Sequence, residues 1–258
     1  MALFPEKEHQ LYNFTFLLNT FAVLHFDERN EQNFNQEAKN RMKDFLIDNF
    51  NTSGQHNYPA EGVQLENNDK SIRYEFASNY TSLRIGRPQY TTFGKSMLPN
   101  AVPLRWFVSK VLLLEKVKQI DVRKISVFPM QIGGKEPTKE QASEMIGNIL
   151  TKDVLSLVTV REINDVNCSI GPVTFHVMED PENHFIYEIL LGLLKDPKRT
   201  SIYNVILDAN CVYKPSDGIM LTEIEDKQEE MSKSLYDLFH WAVQKHVIDV
   251  MKGGVGNE

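Results

Sequence analysis

The sequence predicts an α+β protein built from two related modules, and two kinds of pattern carry that prediction. Stretches in which apolar and polar residues alternate indicate strands, whereas apolar residues spaced three or four positions apart indicate helices. These stretches follow one another in the same order twice, as strand, helix, several antiparallel strands and helix. We therefore expect an internal duplication, with residues 1–118 as the first α+β module and residues 119–258 as the second.

The first module is predicted to open with a long strand over residues 13–26, buried mostly on one face. A surface helix follows over residues 34–46, and a short strand lies near Val63 and Leu65. Residues 72–85 then alternate as a hairpin with one wet face, which carries Arg73 and Arg84. The two arginines are predicted to be cross-strand neighbours, so an anion or an acid should lie between them. We expect acids in this role, supplied by the second half of the chain or by a protein partner.

The stretch over residues 102–114 is too densely apolar for a surface helix, so we expect a central packing helix. Within it, Trp106 and Phe107 should be largely buried, because aromatic side chains contribute large contact areas. The strand that follows, over residues 120–132, has apolar residues first in even and then in odd positions. A bulge near Arg123 and Lys124 would explain that change of phase.

The second module continues with a helix for which Thr138 is the predicted N-cap, forming a capping box with Gln141. One long terminal helix, with an apolar stripe from Ile224 to Val243, should close the chain before Gly253. Between these helices the alternation predicts four strands, over residues 154–163, 172–178, 185–194 and 201–213.

Several landmarks of the second module resemble a sporadically distributed family of uncharacterised bacterial proteins of similar length. They are Arg123, the pair Leu207 and Asp208, and the run Leu-Tyr-Asp-Leu-Phe-His over residues 235–240. The family's central strand usually reads Arg-x-Gly-Leu-Arg-Tyr, whereas residues 123–128 read Arg-Lys-Ile-Ser-Val-Phe, so its second arginine is missing. The resemblance implies a two-module α+β protein and no particular reaction.

Charge is unevenly distributed along a chain whose net charge is −7. Residues 70–124 hold eleven Lys and Arg against three acids, a net of +8, which leaves −15 for the rest. Two explanations stay open. This basic segment faces acids of the same chain or of a second subunit, or it forms a site for phosphate or nucleic acid. In either case we expect Arg73, Arg84 and Arg87 to form an anion-binding or partner-binding group.

Familiar catalytic and cofactor motifs are missing from the sequence. No Gly-x-Gly-x-x-Gly, P-loop, His-Glu-x-x-His or Gly-x-Ser-x-Gly pattern occurs. The sequence therefore predicts no cofactor, no metal site and no catalytic residue. Its first residues lack the order of a signal peptide, no apolar run is long enough to span a bilayer, and Cys168 and Cys211 match no metal or redox spacing. We expect a cytoplasmic protein with both thiols buried and no membrane contact.

Three acids and one lysine offer an alternative to a protein without catalytic residues. They are Asp208, Asp217, Glu225 and Lys227. Their order of acids and lysine is the one that nucleases use to bind magnesium and polarise a phosphodiester. However, Glu225 and Lys227 fall at a predicted helix start, where acids favour the helix dipole. Asp208 lies on a mostly apolar strand, so we expect it to be paired with a base such as Arg123.

These observations favour a non-enzymatic protein that binds a protein partner through its sheets or a sheet edge, and they leave homo-oligomerisation open. The alternative is a phosphate-directed enzyme, such as a nuclease component acting on nucleic acid. The arrangement of the basic segment separates the two hypotheses, because an open basic groove would favour nucleic acid.

Overall fold

The computed structural model confirms the α+β class. It describes residues 3–8, 16–26, 35–50, 62–86, 102–132, 136–157, 161–163, 173–196, 198–199 and 201–252. The strands are β1 (Leu17–His25), β2 (Val63–Glu66), β3 (Ile72–Phe76), β4 (Tyr80–Gly86), β5 (Lys116–Val117), β6 (Gln119–Gln131), β7 (Arg161–Ile163), β8 (Val173–Asp180), β9 (Phe185–Lys195), β10 (Ile202–Tyr213) and β11 (Ile219–Met220). The α-helices are α1 (Gln36–Phe50), α2 (Val102–Trp106), α3 (Lys139–Ile149), α4 (Lys152–Leu155), α5 (Ile224–Ala242) and α6 (Lys245–Lys252).

Nine of these strands form one antiparallel sheet in the order β2-β3-β4-β1-β6-β10-β9-β8-β7, and β11 pairs with β5 separately. In each half of the chain the first long strand pairs with the last strand that this half contributes to the nine-stranded sheet, β1 with β4 and β6 with β10. The two first strands, β1 and β6, meet at the centre of the sheet. This order is compatible with the duplication and with a boundary at residue 118, both of which stay predictions.

The helices pack on one face of the sheet, where the core lies. Phe45 of α1 contacts Phe76 of β3 at 5.4 Å between ring centroids, and Phe239 of α5 stacks on Phe128 of β6 at 6.4 Å. Residues from both halves belong to one hydrophobic core. Lys124 of β6 contacts α5 on this same face, and we call the opposite side of the sheet the helix-free face. None of the described helices has the length and apolar character needed to cross a membrane.

The predicted central helix is present, but one of its two aromatic residues is not buried as expected. α2 continues into a π-helical turn, Phe107–Val111, and Phe107 is fully buried. Trp106 is 38% exposed, with the Lys110 ammonium 4.9 Å from its ring centroid, so the prediction for Trp106 was wrong. The two residues are consecutive on a helix and therefore point about 100° apart, which lets one enter the core while the other stays outside.

The bulge expected in β6 is also absent. β6 keeps an unbroken register with β10 from Ile120 to Gln131, and the only shift against β1 falls between Leu17 and Asn19. The apolar phase changes because Lys124 and Ser126 are buried on the helix-covered side. The apolar side chains of this stretch, Ile125 and Val127, lie instead half-buried on the helix-free face.

Two further element boundaries differ from the prediction. The stretch 154–163 was expected to be one strand, but it begins with α4 and only Arg161–Ile163 is described as a strand. The terminal helix is interrupted at Val243, whose extended backbone forms a bridge with Leu150. The Gln244 side chain donates to the Leu150 carbonyl oxygen at 3.0 Å and stabilises this break. The capping box of Thr138 and Gln141 is confirmed.

Candidate functional site

The helix-free face carries a line of four side chains across adjacent strands at the middle of the sheet. Arg73 of β3 lies directly across from Arg84 of β4, as predicted. Arg84 lies across from Phe21 of β1, and Phe21 lies across from Arg123 of β6. We call these four residues the arginine row. The Arg123 guanidinium lies 5.7 Å from the centroid of the Phe21 ring, within the range of a cation–π contact.

Arg73, at one end of the row, is neutralised by two acids of its own module. Glu66 of β2 lies directly across from Arg73 and forms a hydrogen bond and an ion pair with its guanidinium. The carboxylate of Glu75 lies 3.8 Å from the same guanidinium. Acids were expected between the arginines, but from the second half of the chain or from a partner. The structure corrects both the source and the place of these acids, because Glu66 lies on β2, on the side of Arg73 away from Arg84, and Glu75 lies on the same strand as Arg73.

Arg84 differs from its neighbours in the row, because no carboxylate among the described residues pairs with it. Its Nη2 donates to the carbonyl oxygen of Lys70 at 3.0 Å. Its Nε is buried and has no hydrogen-bond partner within the described chain. The third member of the predicted group, Arg87, lies outside the described residues. Among the described residues, Arg84 is thus the arginine of the row that lacks a carboxylate partner.

Arg123, at the other end of the row, pairs with Asp208 of β10, as expected for that carboxylate. Its Nε and Nη2 donate to the two carboxylate oxygens at 2.7 and 2.5 Å. These hydrogen bonds raise the pKa of Arg123, and burial opposes the rise only partly. A bidentate pair of this kind fixes the guanidinium plane, so the exposed part of Arg123 is held in a defined orientation.

Beside this pair the sheet surface forms a half-open cavity of about 180 Å³. Its residues come from four adjacent strands. They are Arg123, Phe175, Glu188, Leu190, Asp208 and Asn210. The Asn210 side-chain nitrogen donates to Glu188 Oε2 at 3.0 Å. The cavity therefore combines charged groups, an amide and apolar walls at the end of the arginine row.

The acids and lysine of the nuclease alternative are not brought together. Asp208 lies on the helix-free face, whereas Glu225 lies in the first turn of α5 and pairs with Arg105 at 3.0 Å. Lys227 pairs with Glu230 at 2.6 Å and lies 4.7 Å from the Tyr213 ring centroid. Asp217 lies in the exposed turn between β10 and β11. No group of three or more His, Cys, Asp or Glu in the described chain is arranged to hold a metal.

The basic segment does not form an open groove among the residues that the structure describes. Besides Arg73 and Arg123, which have carboxylate partners, Arg105 pairs with Glu225 of the second half. Lys124 is buried between β6 and α5, where its Nζ donates to the Ser232 carbonyl oxygen at 3.1 Å. Burial lowers the pKa of Lys124 to about 7, against a smaller opposing effect of Asp237. Three arginines of the segment are thus paired with acids of the same chain, and one lysine is buried away from solvent.

Sequence reasoning missed Phe21, Phe175, Glu188 and Asn210. Each lies in a stretch that was predicted to be a strand, but their proximity depends on the strand order. Glu188 and Asn210 alternate with core residues of β9 and β10. The available signal was a polar residue that alternates with core residues along a strand. Such a residue does not reveal which other strand lies beside its own.

No family model and no curated protein matches the chain. Among solved structures, one described as KH domains aligns with 90% of this chain and 86% of its own, at 8% sequence identity and a TM-score of 0.24. A likeness at that level carries no argument about fold or function.

Proposed function

We propose that the chain is a non-enzymatic protein-binding module whose partner docks on the helix-free face, over the arginine row. The observation that carries this proposal is the succession of Arg84, Phe21 and Arg123 on three adjacent central strands. Arginine and aromatic residues are enriched at the energetic centres of protein interfaces. A row that joins both kinds at the middle of a large sheet offers such a centre.

The surroundings of the row support a protein partner. Val23, Ile125 and Val127 lie half-buried on the same face, next to the charged side chains. This mixture of apolar and charged groups is typical of interfaces between separately folding proteins. The partner chemistry that fits best is an apolar patch over Phe21 beside a carboxylate that reaches Arg84.

The charges around the row argue against a nucleic acid. Glu66 and Glu75 flank one end, and Asp208 and Glu188 flank the other. A polyanion lying along the row would meet these four carboxylates, and counterion release from the intervening arginines would be offset by that repulsion. The phosphate-directed enzyme is therefore the second hypothesis.

We place this activity in the cytoplasm, in keeping with the cysteine pattern. Cys211 is a free, buried thiol, and Cys168 lies outside the described residues. A second copy of the chain is one form that the partner can take.

Site-specific photo-crosslinking tests the proposal. A benzoylphenylalanine replaces Phe21 in the protein expressed in its native cells, with the same group at Val250 of α6, which is 62% exposed, as control. We expect a discrete protein adduct from position 21, lost when Arg84→Glu is added, and no such adduct from position 250. An adduct between two copies would assign a homo-oligomer. Identical adducts at both positions, or none at position 21, would overturn the proposal.

A titration with single- and double-stranded DNA and RNA at low salt addresses the second hypothesis. We expect no salt-sensitive binding by the purified protein. Binding that weakens steeply with salt and disappears in the Arg73→Glu/Arg84→Glu variant would replace the protein partner by a nucleic acid.

A further inference from the structure

The cavity beside the Arg123–Asp208 pair is formed by two neighbouring cross-strand lines of the sheet. Arg123, Asn210 and Glu188 follow one another on β6, β10 and β9. In the adjacent line, Asp208 and Leu190 lie across from each other, and Phe175 of β8 lies across from Leu190. Because all six positions belong to paired strands, the walls are held by backbone hydrogen bonds rather than by loops.

The charge of this cavity is negative overall. It contains two carboxylates, Asp208 and Glu188, and one guanidinium, Arg123. Asp208 is 12% exposed at its side chain and is engaged at both oxygens by Arg123. Glu188 lies near enough to raise the pKa of Arg123 as well, but only through its charge, and that is the smallest of the contributions. The carboxylate of Glu188 is thus the group with charge left to neutralise.

A second observation points to the same kind of ligand. The Asn210 amide nitrogen is committed to Glu188, which fixes the direction of the amide. Its oxygen, Oδ1, is buried and has no hydrogen-bond partner in the described chain. Buried polar atoms are nearly always paired in folded proteins. The cavity lining therefore holds a carboxylate and, on the adjoining amide, an unpaired acceptor, and a cation with N–H donors is the ligand whose chemistry matches both groups.

The volume of the cavity further limits the class of ligand that it can bind. Sites for nucleotides and other cofactors usually measure about 300–1,000 Å³, whereas this cavity measures about 180 Å³. Phe175 and Leu190 provide apolar walls that suit a short aliphatic chain. Lysine and arginine side chains combine such a stem with a donor-bearing cationic end.

We propose that this cavity is a specificity pocket that takes one lysine or arginine side chain of the protein partner. The inference rests on the proposed function, and it adds a basic residue to the acidic and apolar features expected of the partner surface. Glu188 and Asn210 receive the cationic end, and Phe175 and Leu190 contact its stem.

Small probes and the purified full-length protein test the pocket directly. Butylguanidinium and butylammonium chloride are titrated while NMR follows the Asn210 side-chain amide, assigned by its loss in Asn210→Ser. Butylurea, which has nearly the shape of butylguanidinium but no charge, is the ligand control. We expect saturable shifts with at least one cation in the millimolar range, as suits so small a ligand, and at least about tenfold weaker binding of butylurea.

Two variants separate the pocket from general charge effects. Glu188→Gln removes the charge and keeps an oxygen that accepts from Asn210, so cation affinity should fall at least about tenfold with the fold retained. Glu179→Gln removes an exposed carboxylate of β8 outside the cavity and should leave affinity unchanged. Equal losses in both variants, or tighter binding of sodium acetate than of either cation, would overturn the pocket.

The result is independent of the crosslinking experiment. If a partner is crosslinked but the cavity does not bind the cations, only the inference of a specificity pocket is overturned. Cation binding without any adduct at position 21 would instead leave a pocket for a small amine and remove the protein-binding proposal.

Discussion

Lys124 of β6 donates to the carbonyl oxygen of Ser232 in α5 across 3.1 Å, in a layer where both residues are buried. Thr20 of β1, directly across from Lys124, is buried as well. A lysine in this position is held away from water, which disfavours its charged form. The packing of α5 on the sheet thus favours the neutral form of Lys124, although this residue belongs to the basic segment of the sequence.

Stability should therefore rise with pH above neutrality. Burial lowers the pKa of Lys124 from its ordinary value of 10.5 to about 7 in the folded chain, so between these values the unfolded chain binds the extra proton. The contribution of this group should improve by about 4 kcal/mol from pH 7 to pH 10.5. Urea unfolding across that range would measure the slope. Lys124→Met should flatten it, and an unchanged slope in that variant would assign the effect to other groups.

Removing one partner of the Arg123–Asp208 pair should destabilise the fold moderately. Asp208→Asn keeps the shape and removes the charge, and because Arg123 is 46% exposed at its side chain, water compensates part of the loss. We expect a decrease of about 1–2 kcal/mol in the free energy of unfolding. A double-mutant cycle with Arg123→Met should give a coupling of about 1 kcal/mol. Additive effects would show that the pair does not stabilise the protein.

The two neighbouring aromatics of the central helix should respond differently to truncation. Phe107 is fully buried and contacts Phe76 at 4.9 Å between centroids, so Phe107→Ala should cost about 3–5 kcal/mol. Trp106 is 38% exposed, and Trp106→Ala should cost about 1–2 kcal/mol. Thermal and urea unfolding of the two variants in parallel measures the contrast. Equal losses would contradict the orientation of this helix.

Replacing the N-cap of α3 should have a smaller, local effect. The Thr138 hydroxyl accepts from the Gln141 backbone, and the Gln141 side chain accepts from the Thr138 backbone. Thr138→Ala should lower stability by about 1 kcal/mol, whereas Thr138→Ser should retain most of it. A loss of similar size in Thr138→Ser would point to the lost methyl group rather than to the cap.

Local patterns in the sequence were sufficient to predict most elements and one half of the site. The alternation of apolar and polar residues identified the hairpin of β3 and β4 and placed Arg73 and Arg84 on the same face of it. This was possible because the two-residue period of a strand depends only on residues close together in the chain. The partner of Asp208 was also predicted, since a charge on an apolar strand requires a base nearby. Glu188 and Asn210 were not recognised, because their neighbours come from other strands.

Where an element failed, a contact distant in sequence had overridden the local pattern. A bulge in β6 was predicted because positions on the buried face of a strand were expected to be apolar. Lys124 occupies such a position and is buried under α5 instead. The terminal helix stops at Val243 because its backbone pairs with Leu150, almost a hundred residues earlier.

The sequence by itself determined the α+β class, the order of most strands and helices along the chain, and which side chains share a strand face. These properties follow from periodicity and capping, whose causes lie within a few residues. Only the tertiary structure decided that β1 and β6 meet at the sheet centre, that one face is left without a described helix, and that the arginine row ends at a negatively charged cavity. Those outcomes depend on which strands pair, and pairing is settled by packing between residues far apart in the chain.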